Sequence, residues 1–298
     1  MKKALSIKGV VCPMVTPFDD ENCIDFESAR CVVDFLLSKG IPALMVGGTT
    51  GEGMLLSLAE RKALSEAVVK QVAGRAAVIV HAGCISTADT IELTHHAESI
   101  GATAASVIVP YFFTFEDDSL FNHFVSVADA VPGFPILLYT FPGNAKNDIS
   151  PELLERLLGE APNIVGIKVT NTNLLRFQEY LEIGREGFLT FCGVDGLMLP
   201  ALALGAQGQV SGNANAFPEV FCGLYDAFME GDIEQARRHQ QMINHIRLLL
   251  RDGLHPAYYK AALTLRGVPA GLVRPPMREL TSAELEELER EMNRLKLL

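Results

Sequence analysis

A (β/α)8 barrel is the fold class this sequence predicts, on three observations. From Gly9 onward short β-rich runs alternate with amphipathic stretches, the runs number eight, and they recur at about thirty-residue spacing. The 298 residues are 49% hydrophobic, enough for one large core of that kind. A doubly wound open sheet is the chief rival, and each parallel crossover is expected to be right-handed.

The runs fall at residues 10–16, 43–47, 77–82, 104–109, 136–139, 164–168, 188–192 and 207–211. The run at 164–168 follows Pro162, is rich in β-branched residues and reads as a strand buried on both faces, the kind found in a parallel sheet. Between them, 26–38, 58–72 and 87–100 carry apolar residues at helical spacing. The pairs Gly101-Ala102 and Gly205-Ala206 suit helix ends, where glycine takes a positive φ before the next strand. After Phe217 the strands stop, and 218–230, 233–251, 256–265 and 282–297 read as helices. The barrel is expected over residues 1–230, with C-terminal helices packed on it over 231–298.

Charge and cysteine usage narrow the function classes. The net charge of −11 and the scatter of Lys and Arg argue against a nucleic-acid surface. Six dispersed cysteines without a C-x-x-C pair suit free thiols in a reducing cytoplasm, the expected location. The N-terminus has no apolar stretch of signal-peptide type, and the most apolar segment, 197–206, is broken by Pro200 and too short to span a bilayer. No membrane partner is expected. Seven histidines form no pair at ligand spacing with an acid, and no G-x-G-x-x-G follows a strand, so neither a metal nor a nicotinamide cofactor is indicated.

Lys168 is the oddity of its run, Asn163-Ile-Val-Gly-Ile-Lys-Val-Thr170. A lysine there must pair its charge, escape to solvent at the strand end, or lose its proton. In the last case it is a nucleophile, and at the C-terminal end of a barrel strand it is a candidate for a Schiff base with a carbonyl substrate. Tyr139 ends the fifth strand and is placed either to relay a proton for such chemistry or to pack at the barrel rim. The second strand leads into Gly47-Gly48-Thr49-Thr50-Gly51-Glu52-Gly53, where hydroxyls among glycines can converge on a small anion or form a turn before a helix capped at Ser57. The loop lacks the Gly-Lys-Ser/Thr ending of a nucleotide-binding P-loop. Gly193-Val-Asp195-Gly196 and Ser211-Gly-Asn-Ala-Asn215 after the last two strands are small and polar enough to line a pocket.

Together with Pro13-Met-Val-Thr-Pro-Phe18 and Arg274-Pro-Pro276, these segments resemble the dihydrodipicolinate synthase and N-acetylneuraminate lyase family of pyruvate-dependent class I aldolases, over nearly the whole chain. The resemblance implies that Lys168 is the Schiff-base lysine and Tyr139 the proton-transfer tyrosine, and that Thr49 and Thr50 are the relay and carboxylate-binding hydroxyls, with Gly48, Gly193, Asp195 and Ser211 lining the substrate. It implies pyruvate or a related 2-oxo acid and an aldehyde as reactants, no cofactor beyond the covalent imine, and a homotetramer built as a dimer of dimers.

Three departures narrow the substrate. The synthase arginine that clamps the second carboxylate falls on Asn144, which cannot make a charged bidentate pair. The lyase's sugar-tail acid and serine fall on Gly196 and Gly212, although Asp195 is kept and His81-Ala-Gly-Cys-Ile-Ser-Thr87 is lyase-like. The family's second relay tyrosine falls on Phe112, leaving Tyr111 one position away. The segments Lys168-Val-Thr170-Asn171 and Phe217-Pro-Glu219 resemble the 2-keto-3-deoxygluconate aldolases. The expectation is therefore an aldolase for a 2-keto-3-deoxy sugar acid or smaller relative, with an altered-clamp synthase and a non-catalytic 2-oxo-acid-binding protein as alternatives.

Overall fold

In the computed structural model, which describes residues 7–253 and 255–298, strands and helices alternate as far as β8, with two helices between β5 and β6, and only helices follow. The order is β1 (Gly9–Pro13), α1 (Phe26–Ser38), β2 (Ala43–Val46), α2 (Leu58–Val72), β3 (Ala77–His81), α3 (Thr87–Ser99), β4 (Ala104–Ile108), α4 (Asp117–Ala130), β5 (Ile136–Thr140), α5 (Pro142–Ala145) and α6 (Pro151–Glu160). It continues with β6 (Ile164–Val169), α7 (Leu174–Ile183), β7 (Leu189–Cys192), α8 (Met198–Leu204), β8 (Gly208–Val210), α9 (Pro218–Met229), α10 (Ile233–Leu249), α11 (Pro256–Leu265) and α12 (Ser282–Arg294). The eight strands close into a barrel in sequence order, so the open-sheet rival is set aside.

The sequence supplies the helix boundaries. Asp25, Ser86, Ser150, Asn173 and Asp232 accept hydrogen bonds from the first-turn amides of α1, α3, α6, α7 and α10. Ser57 with Glu60 and Thr281 with Glu284 form complete capping boxes on α2 and α12. Each such cap stabilises by about 1 kcal/mol. Gly101 (φ 76°) and Gly205 (φ 113°) end α3 and α8 in the left-handed region, where a Cβ is disfavoured. The last barrel helix stops at Met229 and α10 stops at Leu249, followed by a single 3₁₀ turn, Arg251–Gly253, so the helical periodicity overran both ends by one or two residues.

The chain packs as two compact units. One holds the described residues up to Gly9 and Ala77–Val210; the other holds Val10–Ala76 and Ser211–Leu298. In the first, β3 to β8 pair in parallel, and Ile108, Tyr139, Lys168 and Phe191 are register partners across β4 to β7. Register partners in parallel strands share a face, so the lysine and the tyrosine project together. In the second, β1 pairs with β2, and the C-terminal helices belong to the same unit.

None of the six cysteines is in a disulfide, and burial pushes the Cys192 thiol at the end of β7 up to about 12, which disfavours the reactive thiolate. No helix among the described residues is long and apolar enough to cross a membrane.

Candidate active site

Strand β6 is apolar apart from its lysine, and it packs closely: a Cβ on Gly166 would lie 2.5 Å from the Leu189 carbonyl oxygen. Two residues on, Lys168 is 8% exposed, so its charge does not escape to solvent. Nor has it a carboxylate partner among the described residues. Its Nζ sits 3.9 Å from the centroid of the Tyr139 ring, and the buried His81 ring meets that tyrosine edge-on at 6.1 Å. A ring face attracts the ammonium form only modestly compared with a carboxylate, so the amine lies beside a phenol and free of an ion pair. A buried amine next to a phenol can attack a carbonyl and exchange protons while doing so.

Gly193 follows β7, and its amide donates to the Val169 carbonyl at 2.8 Å. A side chain at 193 would collide with the buried hydroxyl of Thr170, the residue just after β6, which is why glycine is needed there. Asp195 is buried, and its Oδ1 accepts from Gln209 Nε2 on β8 at 2.7 Å, which fixes the carboxylate's orientation.

The loops after β4 and β5 are joined by a residue that sequence reasoning passed over. Asn147 is buried; its Nδ2 donates to the carbonyls of Pro110 and Phe113, both at 2.7 Å, and its Oδ1 accepts from the Phe115 amide at 2.9 Å. Between those anchors Phe112 is held at φ 78°, a conformation uncommon for a bulky residue, with its ring 68% exposed and edge-on to Phe113 at 5.0 Å. Tyr111, next to it, is half-buried. Asn144 is exposed on α5, as is Lys146 just beyond, so neither reproduces a fixed bidentate clamp.

In the second unit, the loop after β2 is closed on itself. Gly48 is buried, Thr50 half-buried and Thr49 exposed; the Gly53 amide donates to the Gly48 carbonyl at 3.0 Å, and Thr16 Oγ1 donates to the Gly51 carbonyl at 2.6 Å. A Cβ at Gly51 would lie 2.8 Å from the Met14 carbonyl oxygen, so only glycine allows this approach. Ser57 caps α2 just beyond, so the loop is both a hydroxyl-bearing turn and a helix entry.

After β8, Ser211 Oγ accepts from the Ala214 amide at 3.3 Å, and Asn215 ties the loop to β1 through the Val15 amide and the Pro13 carbonyl. At Gly212 a Cβ would meet Thr50 Oγ1 at 2.9 Å and Tyr259 Oη at 3.0 Å. A serine at this position, which the lyase has, would require the Thr50 or Tyr259 side chain to shift. Among the described residues no His, Cys, Asp and Glu side chains cluster as a metal would require.

A model of the dihydrodipicolinate synthetase family matches residues 6–295. The chain belongs to that family. A 4-hydroxy-tetrahydrodipicolinate synthase of Methanopyrus kandleri is 38% identical over 98% of this chain and 97% of its own. An N-acetylneuraminate lyase of Rhizobium meliloti is 34% identical, covering 95% and 94% of the two chains. Among solved structures, YagE of E. coli K12, a prophage protein of the dihydrodipicolinic acid synthase family in complex with pyruvate, superposes with a TM-score of 0.94 at 29% identity over 99% of this chain and 100% of that one. The dihydrodipicolinate synthetase family comprises pyruvate-dependent lyases and aldolases, and the barrel is the fold of its solved members.

Proposed function

We propose that this protein is a class I carbon–carbon lyase in which Lys168 forms an imine with pyruvate, or with a 2-oxo acid that yields it. The observation that carries the reading is the buried, carboxylate-free Lys168 amine against the Tyr139 ring at the C-terminal ends of adjacent strands. The nitrogen attacks the C2 carbonyl and water leaves; the iminium then draws the electron pair of the C3–C4 bond of the aldol while the C4 hydroxyl gives up its proton and departs as the aldehyde, and the enamine left behind is protonated at C3 and hydrolysed to pyruvate and the free amine, the reverse sequence forming the bond. Tyr139 moves the proton to and from the carbinolamine, and Thr49 and Thr50 take the relay and carboxylate roles that the family implies for them. The second reactant in this reading is the aldehyde corresponding to a 2-keto-3-deoxy sugar acid or a smaller relative. Support comes from the uncharged, exposed Asn144 and from Gly212, where Thr50 and Tyr259 crowd the position of a serine. No cofactor beyond the covalent imine is invoked.

The second reading is a 4-hydroxy-tetrahydrodipicolinate synthase with an altered clamp, favoured by the name of the Methanopyrus relative. Pyruvate consumption with a panel of sugar-derived aldehydes and with aspartate semialdehyde separates the two. The first reading predicts turnover of a hydroxylated aldehyde, and turnover of aspartate semialdehyde alone would decide for the second. Tyr139→Phe is expected to lower the rate about 10²- to 10⁴-fold, the usual span for losing a general acid–base. A variant at wild-type rate would remove Tyr139 from the mechanism. Pyruvate-dependent thermal stabilisation with no aldehyde consumed would instead identify a 2-oxo-acid-binding protein.

The assembly we propose is a homotetramer, a dimer of dimers, with the exposed Phe112 and Phe113 rings offering apolar surface for one contact. Sedimentation equilibrium at a monomer mass would refute it.

A further inference from the structure

Beneath the Thr49–Thr50 turn lies a buried ion pair that the proposed chemistry does not use. Glu52, with its backbone at φ 54°, is 2% exposed, and its Oε1 accepts from Lys260 Nζ on α11 at 2.6 Å. Its Oε2 accepts from the Arg274 amide at 2.9 Å, so both carboxylate oxygens are occupied. Lys260 is 1% exposed; it also donates to the Leu272 carbonyl and stands 4.7 Å from the centroid of the Phe18 ring. The Arg274 side chain extends the anchorage, donating to the Leu55 carbonyl at 3.1 Å and pairing with Glu60 at 2.7 Å.

The geometry joins this pair to the turn. The Glu52 amide donates to the Thr49 carbonyl at 3.1 Å, and the Leu55 amide donates to the Glu52 carbonyl at 2.8 Å, so Glu52 closes the turn that carries both threonines. The neighbouring residue of α11, Tyr259, brings its hydroxyl to Gly212 alongside Thr50. Helix α11 therefore meets the turn through Lys260 and flanks Gly212 through Tyr259. Desolvation pushes the Lys260 ammonium down from the ordinary lysine value while Glu52 opposes it, the mark of a charge held against the preference of its surroundings. Buried ion pairs stabilise folds little compared with apolar residues of the same volume, so stability alone accounts poorly for this one. A rigid turn is what a hydroxyl pair needs if it is to grip a carboxylate.

We propose that Lys260 and Glu52 are positioning residues that set the Thr49 and Thr50 hydroxyls for the carboxylate of the 2-oxo acid, an inference that rests on the imine reading above. The test measures borohydride trapping of Lys168 at graded pyruvate concentrations in the full-length protein. The variants are Glu52→Gln, which keeps the Arg274 contact, and Glu52→Gln/Lys260→Met, which leaves no unpaired buried charge. Folding is checked by thermal midpoint.

The expected result is a 10- to 100-fold rise in half-saturating pyruvate, with Lys168 still the residue modified; about that factor follows from displacing a binding group by about 1 Å. In a Thr50→Val background the same changes should add less than their full factor, because the group they position is gone; a purely structural pair would give the full factor or none. Wild-type trapping with half-saturation in folded variants within twofold of wild type would overturn this inference alone. Failure of the wild-type protein to be trapped would overturn the imine reading and this inference with it.

Discussion

Asn147→Ala removes three hydrogen bonds at once: two from Nδ2 at 2.7 Å and one to Oδ1 at 2.9 Å. At about 1 kcal/mol net for each, the segment from Pro110 to Phe115 loses about 3 kcal/mol of anchorage. Part of that is returned, because Phe112 no longer has to hold φ 78°, a conformation that costs a bulky residue about 1–2 kcal/mol. The global loss should therefore be only about 1–2 kcal/mol, while local opening around the Phe115 amide loses the larger amount. Hydrogen exchange read by mass spectrometry reports this directly: protection of the peptide covering residues 111–116 should fall about 100-fold, the factor equivalent to about 3 kcal/mol. Phe112→Gly should then be about 1 kcal/mol more favourable in the wild-type background than in the Asn147→Ala background. Protection unchanged within threefold, or equal effects of Phe112→Gly in both backgrounds, would refute the argument that Asn147 sustains the strained turn.

The acid response of the fold should pass through His123. Its ring is buried on α4 with Nδ1 2.9 Å from Thr87 Oγ1, and burial lowers its pKa from 6.5 to about 4. The folded state thus keeps the ring neutral while the unfolded chain takes up a proton below about 6.5. The stability present above that pH is lost as pH falls toward 4, by up to about 3 kcal/mol. His123→Gln should flatten the fall in thermal midpoint between pH 7 and pH 4.5; parallel curves for the two proteins would contradict the assignment.

Gly212→Ser should cost about 1–3 kcal/mol through overpacking against Thr50 and Tyr259, and Tyr259→Phe should recover part of it. Thermal midpoints that simply add for the double variant would show that the two side chains do not compete for that space.

Much of the fold was legible because barrel strands are buried on both faces and so read as apolar runs, as in β2 and, but for its lysine, β6. Lys168 was legible for the same reason: a lone charge in such a run demands an explanation. Lys260 offered the same signal, a single charge inside the apolar stretch Pro256–Leu265, but its partner Glu52 lies 208 residues away and no periodicity connects them. Asn147 gave no signal at all, since its bonds run from a side chain to backbone carbonyls, groups every residue has. Gly193 could be read as small, but that Thr170 is the group requiring it needed coordinates. Asp195 was legible as a polar loop residue, whereas its engagement by Gln209 depends on the pairing of β7 with β8.

The central claim is that Lys168 is the nucleophile, and the most direct measurement is peptide mass mapping after borohydride reduction in saturating pyruvate. The account predicts one reduced pyruvyl adduct per chain, on the peptide containing Lys168 and absent from Lys168→Arg, while the ion-paired Lys260 stays unmodified. An unmodified Lys168 under those conditions, or an adduct that persists in Lys168→Arg, would contradict it.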